Sequence, residues 1–187
     1  MKLSTDRIVS LSAMVVGVSS LLIAAYQTKL MRESARASVL PYVMVGLNSD
    51  SDGVFMTLRN AGVGPALIDR IEVRTKGRSV KGDAYDYYVS MRPGAEKNPH
   101  LSVDRIQPGR LIPAGESVRM LGWSGGTERE KMVADLLHLF DFADVPRTWL
   151  ENVGATEADK SVLVISYSSV YGEHWTATSN AAVPKPD

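Results

Sequence analysis

From Ile8 to Tyr26 the chain runs IVSLSAMVVGVSSLLIAAY, nineteen residues without a charged side chain. At about 1.5 Å of rise per residue this makes roughly 28 Å of helix, the thickness of a bilayer's hydrocarbon core. Gln27 to Ala37 (QTKLMRESARA) adds good helix formers with neither glycine nor proline. The pattern predicts one helix from about Asp6 to about Ala37, stopped by Pro41. A cleaved signal peptide fits less well. Its apolar stretch is usually about 7–15 residues long and closes on small residues, whereas Ile23-Ala24-Ala25 puts a bulky side chain at the best cleavage position. The expectation is an uncleaved single-pass anchor over residues 1–37, including a short juxtamembrane helix.

From Val39 the period changes to two. Val39, Val43, Val45 and Leu47 share a face of a first strand, and a polar turn (NSDSDG) follows. Val54, Met56 and Leu58 alternate with Phe55, Thr57 and Arg59 in a second strand. Asn60 to Pro65 (NAGVGP) reads as a tight connection whose glycines can supply positive φ. A third strand, Ala66 to Arg74, loses alternation at Asp69-Arg70, the mark of a bulge, and Lys76-Gly77-Arg78 closes it.

Asp83 to Arg92 (DAYDYYVSMR) can form a short helix, and the following residues to His100 read as loop. Strands are predicted at Leu101–Ile106 and Ser117–Trp123, with a short apolar piece, Leu111-Ile112, between them. A helix follows, opened by a Thr127/Glu130 capping box, with Met132, Leu136, Leu137 and Phe140 on one face; Val145–Asn152 can add a short second turn. A final hairpin sets Val162 and Val164 against Leu163, Ile165 and Tyr167, turns near Tyr171-Gly172-Glu173, and returns through His174–Thr178. Val54, Met56, Leu58, Val162 and Val164 are expected to be buried. Residues 38–180 make one domain, and residues 181–187 are expected to be a disordered tail.

Short strands, Gly/Pro turns and one inserted helix indicate a mainly β fold, a two-sheet sandwich after the transmembrane helix. The run LRNAGVGPALIDRIEV resembles the strand–turn–strand unit of bacterial immunoglobulin-like domains. The layout as a whole, a single span running into QTKLMRES, then SVLPY and a β domain, resembles a loose group of uncharacterised bacterial membrane-anchored proteins. That resemblance implies an immunoglobulin-like β-sandwich on an inner-membrane anchor and is silent on activity.

Composition removes several classes of function. The chain has no cysteine, which excludes disulfides, thiolate zinc sites and cysteine nucleophiles. Its 21 Lys and Arg balance 21 Asp and Glu, so no global field points to nucleic acid. Lys2 and Arg7 flank the anchor on one side and Lys29, Arg32 and Arg36 on the other, a balance that leaves the side of the soluble domain open.

Candidate chemistry is sparse. His100, His138 and His174 lack metal-ligand spacing. Gly122-Trp123-Ser124-Gly125-Gly126 only superficially resembles a nucleophile elbow and reads as a bend ahead of the helix. Tyr85, Tyr87 and Tyr88 form a candidate partner surface, because tyrosine offers a rigid contact area with a polar tip; the alternative, which the sequence favours, is a short helix that packs Tyr85 and Tyr88 onto the sandwich. The basic stretch Arg70, Arg74, Lys76, Arg78 and Lys81 suits anionic lipid or an acidic partner, or simply a solvated hairpin end. In the anchor, Ser10, Ala13, Gly17, Ser20 and Ala24 follow at steps of three and four, a seam of small residues that suits parallel self-association.

The sequence thus predicts no catalytic, cofactor or metal residues. It predicts a membrane-anchored interaction, scaffold or accessory/sensor domain whose partners are the bilayer, a second copy through the seam, and a protein or envelope component. The alternatives are a hydrolase or ligand-binding enzyme with a site assembled from distant loops, and a structural subunit of a larger membrane complex.

Overall fold

The computed structural model describes residues 5–76, 78–124, 129–146, 148–149 and 160–187. The chain divides into two units, Met1–Ser38 and Val39–Asp187.

The first unit is helix α1, Thr5–Ala37, in which no residue is buried. Its most apolar window has a mean hydropathy of 2.3, long and apolar enough to cross a membrane. The hydroxyls of Ser10, Ser12, Ser20 and Thr28 each donate to the carbonyl four residues back. A helix in lipid must satisfy its polar groups internally, and these side chains do so without a partner helix.

The second unit is built on two antiparallel sheets. The first has strand order β1 (Val43–Asp50), β2 (Gly53–Asn60), β7 (Ser117–Ser124), β5 (Leu101–Val103). The second has order β10 (Lys185–Pro186), β9 (His174–Thr178), β8 (Val162–Ser168), β3 (Ala66–Thr75), β4 (Arg78–Lys81), with β6 (Leu111–Ile112) pairing the start of β3. The inward positions of both sheets join in one apolar cluster. It includes Val45, Met56 and Leu58 from the first sheet and Ile71, Val73, Ile165 and Tyr167 from the second.

Strand β2 lies between β1 and β7 and is buried on both faces. Phe55, expected to face outward, does so, yet it is covered. Its ring lies against Gly122 across the pair, where any β-carbon would collide with it. The Arg119 guanidinium sits 4.3 Å from the ring centroid and is held there by Asp50 and Asp52 of the β1–β2 turn. The expected bulge in β3 is present between Ile68 and Arg70.

Several expectations are corrected. Val162 is only half-buried, and Val164, though buried, stands opposite Glu72 and Thr178 on the face away from the core. Leu163, Ile165 and Tyr167 fill the core instead. The strand expected over Leu101–Ile106 ends at Val103, because Asp104 and Arg105 leave the ladder to pair with Arg110 and with Asp83 and Asp86. Among the described residues a second α-helix, α2 (Ala84–Met91), is inserted among the strands besides the expected α3 (Arg129–Leu139). The expected tail is ordered. Tyr42 donates to the Ala182 carbonyl, residues 185–186 pair with β9, and Asp187 accepts from Thr176. Thr127 of the expected capping box, and residues 147 and 150–152 of the expected second turn, lie outside the described residues.

The NAGVGP connection works differently from its sequence reading. Neither Gly62 nor Gly64 has positive φ. A β-carbon on Gly62 would strike the backbone of Leu40 and Tyr42, and one on Gly64 that of Val39. The glycines permit close approach of two chain segments. Asn60, fully buried, staples the same place: its amide nitrogen donates to Gly64 O (2.8 Å) and Ile112 O (3.0 Å), and its oxygen accepts from the amides of Tyr42 (3.1 Å) and Gly62 (3.0 Å).

Candidate functional site

Helix α2 is positioned by one carboxylate. Asp83 caps it by accepting from the Asp86 amide at 3.0 Å, and its other oxygen takes the Arg105 Nε–H at 2.5 Å. Arg105 also reaches Asp86 and lies over the Tyr85 ring, 5.1 Å from its centroid. An N-terminal cap and an acidic first turn both favour the helix.

Fixing α2 separates its tyrosines. Tyr87 and Tyr88 are buried; Tyr85 is half-buried. Tyr87 shares a 2.7 Å hydrogen bond with Ser161 and meets Phe140 edge-on. Tyr88 meets Trp123 of β7 edge-on, with centroids 5.1 Å apart. The three therefore do not form a common surface: two are core residues, and the third stacks under a salt-bridged arginine.

What α2 does create is a cleft of about 330 Å³ where it ends. Tyr88, Met91 and Pro93 form one side, Trp123 and Met132 another. Arg92, Asn98, Lys131 and Asp135 supply its polar positions, and Arg92 pairs with Asp135 at 3.1 Å. Burial pushes the Tyr88 phenol up to about 12, with the Asp135 charge adding to the rise and Arg92 opposing it. At neutral pH it is a protonated donor. The Trp123 Nε1–H is buried and has no acceptor among the described residues. A buried donor without a partner is uncommon in a folded protein. A second, shallower hollow of about 370 Å³ lies beside β5 between Tyr85, Glu96 and Arg105.

The remaining sequence candidates are placed elsewhere. The seam residues Ser10, Ala13, Gly17, Ser20 and Ala24 are all exposed on α1, with open space around Gly17. In the basic stretch, Arg70 and Arg74 both bind the buried Glu72 carboxylate at 2.8 Å. Burial alone would raise Glu72, but a Ser79 hydrogen bond and the two guanidinium groups outweigh it and hold the carboxyl below its usual range. Two of the five cations therefore serve a structural role. His100 lies near Ser124 O, His174 pairs with Asp69 at 3.2 Å, and His138 is exposed on α3. Among the described residues no three His, Asp or Glu side chains are grouped to hold a metal. Gly125 and Gly126 lie outside the described residues.

The cleft was not legible as a unit in the sequence. Tyr88 and Trp123 stand out separately, but they are 35 positions apart and no spacing joins them to Asp135. The available signal was the tryptophan beside a glycine ahead of an amphipathic helix.

A membrane-compatible helix followed by a two-sheet β unit is the class this geometry defines. The chain belongs to the family described as a domain of unknown function, DUF8453, whose model matches residues 8–180 and so takes in most of α1 and both sheets except β10. No curated protein and no solved structure matches it.

Proposed function

We propose that this chain is a bitopic protein of a bacterial inner membrane whose β unit, an immunoglobulin-like sandwich, acts as a non-catalytic recognition domain in an accessory or sensor role. The observation that carries the reading is α1: 33 residues, none of them buried. A helix with Leu21, Leu22 and Met14 exposed to two-thirds or more needs an apolar medium to cover it. The family match begins within this helix, which supports its belonging to the functional unit. Two antiparallel sheets around one core support the sandwich reading.

The test is extraction. The full-length chain should pellet with membranes and stay there through a carbonate wash at high pH. A soluble product starting near Tyr26 would overturn the anchor.

The cleft favours the ligand-binding half of a second reading, a site assembled from distant segments. Tyr88, Asn98, Trp123 and Asp135 come together only through the fold. Its one carboxylate is engaged by Arg92, so the arrangement suits binding better than proton transfer.

A further inference from the structure

We propose that the end of the β unit that the chain enters from α1 lies on the membrane surface, with its exposed apolar side chains set into the lipid interface. This rests on the anchored reading above and adds a second contact between the protein and the bilayer.

Strand register gathers these side chains. Val43 pairs with Asn60, so β1 begins where β2 ends. The turn over residues 61–65 leads straight into β3, whose Leu67 stands between Leu111 of β6 and Ser168 of β8. The turn from β8 to β9 then brings Val170 and Tyr171 to the same end. The Val63 amide donates to the Leu40 carbonyl at 3.0 Å, which adds the segment before β1. Nine large apolar side chains of the β unit are exposed among the described residues, and six of them, Leu40, Val63, Leu67, Leu111, Val170 and Tyr171, fall on this one end. Scattered singly they would need no explanation; gathered, they form an apolar rim. The opposite end differs: its β1–β2 turn carries Asp50, Ser51 and Asp52, and Lys76 and Arg78 flank its β3–β4 turn.

The course of the chain selects lipid as what covers the rim. The Ser38 amide still bonds within the first unit, to the Ser34 carbonyl, while the Val39 backbone already lies against Gly64. No linker separates the two. From Tyr26, where the apolar run ends, to Ala37 the helix rises about 16 Å, and the headgroup layer takes up about 6 Å of that. The chain therefore enters the rim within about 10 Å of the headgroups, a gap that tilt of α1 or a lean of the β unit closes.

The chemistry of the rim agrees. Five of its six side chains are aliphatic, and Tyr171 offers a ring with a polar tip, suited to headgroup depth. Of the charges at its border, Arg110 pairs with Asp104, His174 lies against Asp69, Glu173 accepts from Ser169, and the exposed Arg59 and Glu116 are one of each sign. The contact therefore rests on apolar insertion and needs no anionic lipid.

The chain has no cysteine, so a single one can be introduced to carry a fluorophore. Val63→Cys and Val170→Cys label the rim, and Ser51→Cys labels the opposite end, all at exposed positions. The full chain is placed at one copy per nanodisc of phosphatidylcholine that includes a headgroup spin-labelled lipid. Both rim probes should lose fluorescence to the spin label and emit further to the blue, and the probe at 51 should change in neither respect. Val63→Asp combined with Leu111→Asp should return the probe at 170 towards the behaviour of the one at 51.

Rim probes that match the probe at 51, in a chain that resists carbonate extraction, overturn this proposal and leave the anchored reading standing. A chain that carbonate extracts overturns both. Shielding of the rim that appears only in discs holding two copies assigns it to a second copy and overturns the lipid contact.

Discussion

Asn60 offers the sharpest test of how the β unit is held together. Its side chain is fully buried and makes four hydrogen bonds, to the backbones of Tyr42, Gly62, Gly64 and Ile112. These join the segment before β1, the turn after β2, and β6. Asn60→Ala strips two amides and two carbonyls of their partners at once. At about 1 kcal/mol net per hydrogen bond the loss is about 4 kcal/mol, a large share of the roughly 5–15 kcal/mol that stabilises a domain. Asn60→Asp keeps the shape but replaces the donating nitrogen with an oxygen aimed at the Gly64 and Ile112 carbonyls, so it should cost at least as much. Asn48→Ala is the control. Asn48 is exposed, and its amide donates to a single side chain, Thr57, at 2.9 Å, so no more than about 1 kcal/mol is expected. Urea titration of the full chain in mild detergent, followed by tryptophan fluorescence, gives all three values. If Asn60→Ala costs no more than Asn48→Ala, the staple is not what holds these segments.

Two further outcomes are expected. Gly64→Ala should lower the melting temperature by several degrees, because its β-carbon would collide with the Val39 backbone; an unchanged melting temperature would refute the close-approach role. Tyr88 ionises near 12 in the fold against about 10 in an unfolded chain, so its contribution to stability is whole below about pH 10 and is lost as pH rises from there through 12. Tyrosinate absorbance should show a late-titrating phenol that Tyr88→Phe removes, and a titration in which every tyrosine ionises near 10 would contradict its burial.

Most of the architecture was legible because it is written in periods. The change from the apolar run of α1 to alternation after Pro41, the bulge at Asp69-Arg70 and the closing hairpin all follow from local pattern. What pattern could not give was depth. Alternation marks two faces of β8 equally, and only the neighbouring sheet decides that Leu163 and Ile165, not Val162, go inside. Tyr87 and Tyr88 were surface candidates because tyrosine carries a polar tip, while packing onto the sandwich was expected for Tyr85 and Tyr88; here Phe140 and Trp123 arrive from distant segments to cover Tyr87 and Tyr88. Gly62 and Gly64 were legible as special, but their reason, a backbone passing close by, is a tertiary fact. The cleft is of the same kind: its members come from α2, β7 and α3, and no local rule brings them together.

The short strand β10 has a consequence for how the molecule behaves among its own copies. In its antiparallel pairing, Lys185 stands opposite Thr176 and the Asp187 amide donates to His174 O, so residues 185 and 187 turn their amides toward β9. The alternate positions, 184 and 186, face away from the sheet, and both are proline. The outer rim of this sheet therefore offers no N–H at either place. A strand arriving from another molecule would find no donors there to bond, and the edge cannot seed edge-to-edge growth. Pro184 and Pro186 thus act as a stop against strand addition along this edge.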